Sequence, residues 1–260
     1  MTLESASALV LALLAALTAG IVGGFALMRR MSLAGDAVSH IALPGLGLAF
    51  LLKFNPLLGA AATLILGAVL IWRIQERTGL DPQTVVGVVF SASLAVGALL
   101  TPNEDLVEAL FGGFRMPSAL EFAADVILTL AILAALRHWK DKLIITLFSP
   151  DLASATGLSS SRLDLIFALI FAMTVLVGLR FLGALLAGAL IIIPAAVARQ
   201  WTSRLSPFLV ISAVASVASV GGGIALAARS HVSQGPAVVT VASAAFIVSF
   251  FLHRHSPKVK

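Results

Sequence analysis

Asp36 and His40 stand four residues apart inside a run, residues 31–52 (MSLAGDAVSHIALPGLGLAFLL), that is otherwise apolar or small. On a helix that spacing puts both side chains on one face. An ionisable group at membrane depth is costly, and it marks a pathway for an ion or proton. A carboxylate beside an imidazole is a ligand pair suited to a divalent transition metal. Pro44 follows His40 by four residues. Proline has no N–H, so the carbonyl of His40 loses its helical partner and is free to face a cavity or an ion. The pair reads as a metal pathway through a membrane. Two protein ligands fall short of the roughly four of a filled zinc site. A symmetric homodimer would bring a second Asp36–His40 pair to the two-fold axis and complete the set.

The other titratable residues are weaker candidates. His138 lies in a basic connection, His231 in a loop, and His253 and His255 in the C-terminal tail HRHSPKVK. His231 is placed on the outer side, where it is a minor metal candidate. Asp125 falls within an apolar run, and a relay through Asp36, His40 and Asp125 is the alternative use of these groups. The chain contains no cysteine, so a thiolate metal site and a disulfide framework are both excluded.

These residues need helices that cross a bilayer. The 260 residues are 60% hydrophobic and 11% charged, with a mean hydropathy of +1.07. Soluble domains carry about 25% charged residues. The apolar runs are continuous rather than alternating, so the fold class is an all-α polytopic membrane protein. Runs near the ~20 residues of a span number about nine: 6–28, 33–52, 56–73, 83–101, 120–136, 163–180, 181–198, 206–228 and 236–252. They form one transmembrane domain over residues 1–260. The first run has no basic segment before it and reads as a retained span.

The net charge of +5 does not point to nucleic acid, because the basic residues sit at the ends of apolar runs. If the N-terminus is outside, the outer side keeps Lys53, Arg115, Arg180 and Arg229, and the cytoplasm holds 17 − 4 = 13 basic residues. The positive-inside rule selects that orientation, with the C-terminus cytoplasmic. Glu104, Asp105, Glu108 and Glu121 gather in or beside the outer loop between the fourth and fifth spans.

Three segments are not simple spans. Residues 104–117 (EDLVEALFGGFRMP) read as a short interfacial helix ended by Gly112, Gly113 and Pro117. Residues 137–162 form the longest cytoplasmic connection, and within it Pro150 and Asp151 open a short helix that Gly157 closes. In residues 183–198, Gly183, Ala187, Gly188 and Ala195 permit close helix packing, and Pro194 frees the carbonyl of Leu190.

The chain has no G-x-x-x-x-G-K-[ST] loop and so is not itself an ATPase. It has no G-x-S-x-G or H-E-x-x-H motif, which leaves a protease or lipase without support. The runs RRMSLAGDAVSHIALPGLGLAF, FSPDLASATGLSSSRLDL, FLGALLAGALIIIPAAVAR and QGPAVVTVASAAFIVSF, with DLVEALFGG in the outer loop, together resemble the permease subunit of bacterial metal-ion ABC importers, with the zinc permeases of the ZnuB type as the nearest pattern. The resemblance covers about residues 20–252, and the outer loop departs from the family's pattern at Ala109 and Gly113. It implies a fold like the vitamin B12 and siderophore importers, a homodimer in the inner (plasma) membrane, a separate cytoplasmic ATPase that binds the ATP, and an extracytoplasmic metal-binding protein. It makes Asp36 and His40 the metal residues of the pathway. It makes Pro150, Asp151 and Gly157 part of the helix that couples to the ATPase. No cofactor is held permanently, and zinc, manganese or iron is the cargo. Two other readings use the same residues, a proton-coupled secondary transporter and a membrane metal sensor. A large chelate is a poor cargo for a chain with no tyrosine and three tryptophans.

Overall fold

The computed structural model describes residues 3–31, 34–101, 118–230 and 232–253. The expected interfacial helix over 104–117 and His231 lie outside them, as do Glu104, Asp105 and Glu108. Ten helices are present among the described residues, and no strand. They are α1 (Leu3–Met28), α2 (Ala34–His40), α3 (Leu43–Leu52), α4 (Pro56–Thr78), α5 (Pro82–Leu100), α6 (Ala119–Phe148), α7 (Pro150–Ala155), α8 (Ser160–Trp201), α9 (Leu205–Ser230) and α10 (Gln234–His253).

Local sequence sets the helix ends. Asn55 caps α4 by accepting from Leu57 N at 2.9 Å, with Pro56 in the first turn, and Gly79 closes it at φ 66°. Asp81 caps α5 in the same way, accepting from Gln83 N. Ser118 and Glu121 form a reciprocal capping box at the start of α6. Each device satisfies backbone groups that a helix end leaves without partners.

Three elements differ from the sequence expectation. The expected span 33–52 is two helices, because Pro44 supplies no N–H and the chain tightens into a turn, with Ile41 N donating to Val38 O and Ala42 N to Ser39 O. Helix α6 runs to Phe148, twelve residues beyond the expected end at 136 (148 − 136). Leu143 is buried there and Lys142 lies over the Trp139 ring at 4.5 Å, so the helix continues on an amphipathic face. The connection to α8 is correspondingly shorter than 137–162.

The third difference is α8, which is a helical hairpin. Its start meets the end of α1, where Arg29 Nη1 lies 2.6 Å from Asp164 Oδ1. Its last turns meet the same place, since Leu27 and Met28 pack against Ala195, Ala198 and Phe208. Asp164 and Ala198 are 34 positions apart (198 − 164), which a straight helix would separate by about 50 Å. The chain reverses at Gly183, whose φ of 71° and ψ of 174° interrupt the helix. The expected sixth and seventh spans are the two arms. Among the described residues eight helical segments are long and apolar enough to cross a membrane, α2 and α3 counting as one, and the return arm, Ala187–Trp201, is shorter.

The hairpin is the centre of the bundle. It packs against α1, α2, α4, α6, α9 and α10, and it buries Phe167, Phe171, Val175 and Ile191. One face of the bundle gathers Arg29, Arg30, Arg73 and Arg77. Gln83 Nε2 donates to Arg30 O at 2.6 Å, Trp72 Nε1 donates to Ser161 O at 2.8 Å, and Trp201 Nε1 donates to Ser249 Oγ at 2.6 Å.

Lipid gives helices no hydrophobic reason to associate, so close backbone contact carries the packing. A Cβ on Gly45 would strike the carbonyl of Gly59, at the contact between α3 and α4. Gly45→Val is therefore expected to cost about 3 kcal/mol and to lower the unfolding temperature in detergent. A Cβ at Gly221 meets open space, so Gly221→Ala is the control, expected to be neutral or to stabilise by up to about 1 kcal/mol.

Candidate metal pathway

Helix α2 is short, and both candidate ligands lie on it. Asp36 is in its first turn and His40 is its last residue. His40 Nε2 lies 3.8 Å from Asp36 Oδ1, too far for a direct hydrogen bond. An ion about 2.1 Å from each donor fits between atoms less than about 4.2 Å apart. The Asp36 side chain is 57% exposed and that of His40 only 9%, so the carboxylate faces out and the imidazole lies behind it. Phe90 of α5 packs on the imidazole with ring centroids 5.5 Å apart. His40 Nδ1 is buried and has no hydrogen-bond partner among the described residues. Asp36 also lines a cavity of about 220 Å³ between α2 and the start of α5, with Met31, Pro82, Gln83 and Phe90 among its other walls.

Backbone contact positions this helix. A Cβ added at Gly188 would lie 2.5 Å from Asp36 Cα and N, so the return arm of α8 seats directly beneath Asp36. Gly35 is similarly close to Gly188 O. Ser39 Oγ donates to Asp36 O at 2.6 Å and ties the helix to itself. The small residues expected to permit packing in 183–198 thus have a specific task, which is to let Asp36 approach the hairpin.

The remaining candidates separate from this pair. Asp125 sits on α6, which packs against α1, α7 and α8, and it does not line the Asp36 cavity. The geometry therefore does not assemble a three-residue relay. His138 is exposed and packs edge-on against Trp139, with centroids 5.0 Å apart. No group of three or more His, Cys, Asp or Glu suited to one metal ion occurs among the described residues. Sequence reasoning missed Phe90, Gln83 and Met31, because an apolar or amide residue in another span carries no local sign of facing the pair.

The second expected feature is compact. Pro150 and Asp151 open α7 and Gly157 follows its end at φ 73°. Thr156 N donates to Leu152 O and Leu158 N to Ala153 O, a closed helix terminus with a left-handed glycine. Phe148 and Leu152 are exposed beside it, at 68% and 53%.

Residues 4–253 match the model of the ABC 3 transport family. The chain belongs to that family. It is 30% identical to the high-affinity zinc uptake system membrane protein ZnuB of Haemophilus influenzae, over 88% of this chain and 90% of that one. It is 28% identical to the manganese import system permease protein ScaB of Streptococcus gordonii, over 95% of this chain and 90% of that one. PsaBC from Streptococcus pneumoniae, solved in complex with a Fab, superposes with a TM-score of 0.84 at 28% identity, covering 97% of this chain and 92% of its own. The resemblance read from the motifs is borne out, and so is the ABC permease fold. Membership of an ABC family sets aside the secondary-transporter and sensor readings.

The shielding of His40 is directly testable. Site-resolved modification by diethylpyrocarbonate is expected to be slow at His40 and fast at His138. Phe90→Ala removes the covering ring and is expected to raise the rate at His40 severalfold, while an unchanged rate would mean the ring does not shield it.

Proposed function

We propose that the protein is the membrane permease subunit of an ATP-driven importer of divalent transition metal ions, with zinc as the first cargo and manganese as the second. The observation that carries this reading is the Asp36–His40 pair, set at bridging distance with Asp36 lining a cavity between α2 and the start of α5, in a chain of the ABC 3 transport family. The relatives named for zinc and for manganese support the same cargo class. A carboxylate and an imidazole serve both ions, and affinity order alone does not choose between them.

The working unit is a homodimer. Two Asp36 carboxylates and two His40 imidazoles supply four donors, and the two carboxylates balance a divalent charge. Among the described residues the imidazole Nδ1 has no hydrogen-bond partner to fix the ring, and a ligand without such support binds metal less tightly. A transporter needs that, since its site must release as well as capture.

The face bearing Arg29, Arg30, Arg73 and Arg77 is cytoplasmic, which leaves the N-terminus outside and the C-terminus inside. A separate ATPase docks there against α7, using the exposed Phe148 and Leu152 with Pro150, Asp151 and Gly157 shaping the contact. An extracytoplasmic metal-binding protein delivers the ion on the opposite face. ATP binding and hydrolysis in the partner shift the bundle between two states, and the ion passes Asp36 and His40 in between.

The test is uptake into liposomes by the permease reconstituted with its ATPase. Zinc and manganese flux is expected to require ATP and to fall to background in Asp36→Ala and His40→Ala, with assembly intact by size-exclusion chromatography. Full flux in either variant would remove the pair from the pathway, and flux without ATP would reject the importer reading.

A further inference from the structure

A second polar network ties three helices at the arginine-bearing face, and the metal pair takes no part in it. Arg29 at the end of α1 reaches Asp164, near the start of α8, at 2.6 Å. The Arg29 side chain is only 10% exposed, and its guanidinium lies 4.7 Å from the centroid of the Phe167 ring. One turn of chain away, Trp72 Nε1 of α4 donates to Ser161 O and Ser161 Oγ at 2.8 and 3.0 Å, and Ser161 Oγ donates to Glu76 Oε1 at 2.8 Å. The start of α8 is therefore fastened to both α1 and α4.

The position of this network is informative. Asp164 follows Gly157 by seven residues (164 − 157), and Arg29 precedes Asp36 by seven (36 − 29). The ion pair is thus the short route between α7 and the helix that bears the metal ligands. The network borders a cavity of about 320 Å³. That cavity and the one at Asp36 share two walls, Met31 and Pro82. Met31 follows Arg29 by two residues, and Gln83, next to Pro82, holds the carbonyl of Arg30.

We propose that the Arg29–Asp164 pair is the positioning element that transmits movement of α7 to α2 and to the Met31–Pro82 constriction between the two cavities. This rests on reading α7 as the ATPase contact. The closed end of α7 makes the start of α8 move with it. The charge pair then draws the end of α1, and Met31 with it, and Ala34 at the start of α2 is tied to Met31 by the bond from Ala34 N to Met31 O at 3.1 Å. Asp164 is half-exposed, but the guanidinium it neutralises is shielded and held on a ring, so removing the carboxylate charge leaves a largely buried cation uncompensated. Displacing Met31 from Pro82 joins the Asp36 cavity to the one beside Arg29 and Asp164.

The experiment measures zinc transported per ATP hydrolysed by the complete complex in liposomes. Asp164→Asn is nearly isosteric and removes only the charge. It is expected to leave ATP hydrolysis intact while the zinc-to-ATP ratio falls about tenfold, within the ~5–150-fold range of coupling between sites. Arg29→Lys keeps the charge and loses the planar fork, and is expected to fall between the two. If Asp164→Asn does not assemble, the ratio in Arg29→Lys decides. A wild-type ratio in the assembled variant overturns the inference, as does an equal loss of hydrolysis and uptake, which is the mark of a merely structural tie. A wild-type complex without ATP-dependent uptake would instead reject the importer reading beneath it.

Discussion

Close approach of backbone to backbone is the constraint on which this bundle depends. Lipid and apolar side chains are alike, so shape and polar contact hold the helices together. Gly188 brings the return arm of α8 against Asp36, Gly23 meets Ile191 O, Gly45 meets Gly59, and Gly223 meets the backbone of Val238. The hairpin of α8 makes the first two of these contacts, because the reversal at Gly183 returns the chain to the middle of its neighbours. A side chain at any of the four moves a helix, and at Gly188 it moves Asp36.

The chemistry of the pair follows from that placement. Asp36 is presented to a cavity while His40 is held behind it under Phe90. One copy offers two donors, half of a filled zinc shell. In the homodimer we propose, a second copy would supply the other two by symmetry, and relative motion of the two halves would then make and break the shell.

Much of this was legible in the sequence, and the gaps have physical causes. Asp36 and His40 stood out because charge is rare in apolar runs, and their helical spacing carried over to a shared face. The helix at Pro150–Gly157 was legible from its proline start and glycine stop. Pro44 announced a lost hydrogen bond, yet the consequence, a turn at Ile41–Ala42, depended on how the chain relaxed around it. Gly183 read as a small packing residue, because sequence does not distinguish a glycine under a neighbour from one at positive φ. The end of α6 was placed too early because RHWKDK is polar, although such residues continue a helix readily at a membrane surface. Phe90 over His40, and Arg29 with Asp164 at a separation of 135 residues, arise only in the folded bundle.

X-ray absorption at the zinc K-edge, on the complete complex loaded with zinc, addresses the central claim most directly. A shell shared between two copies of Asp36 and His40 requires nitrogen and oxygen donors at about 2.0–2.2 Å, with imidazole scattering that disappears in His40→Ala. An imidazole signal that survives in His40→Ala would place the ion on other residues and contradict the account.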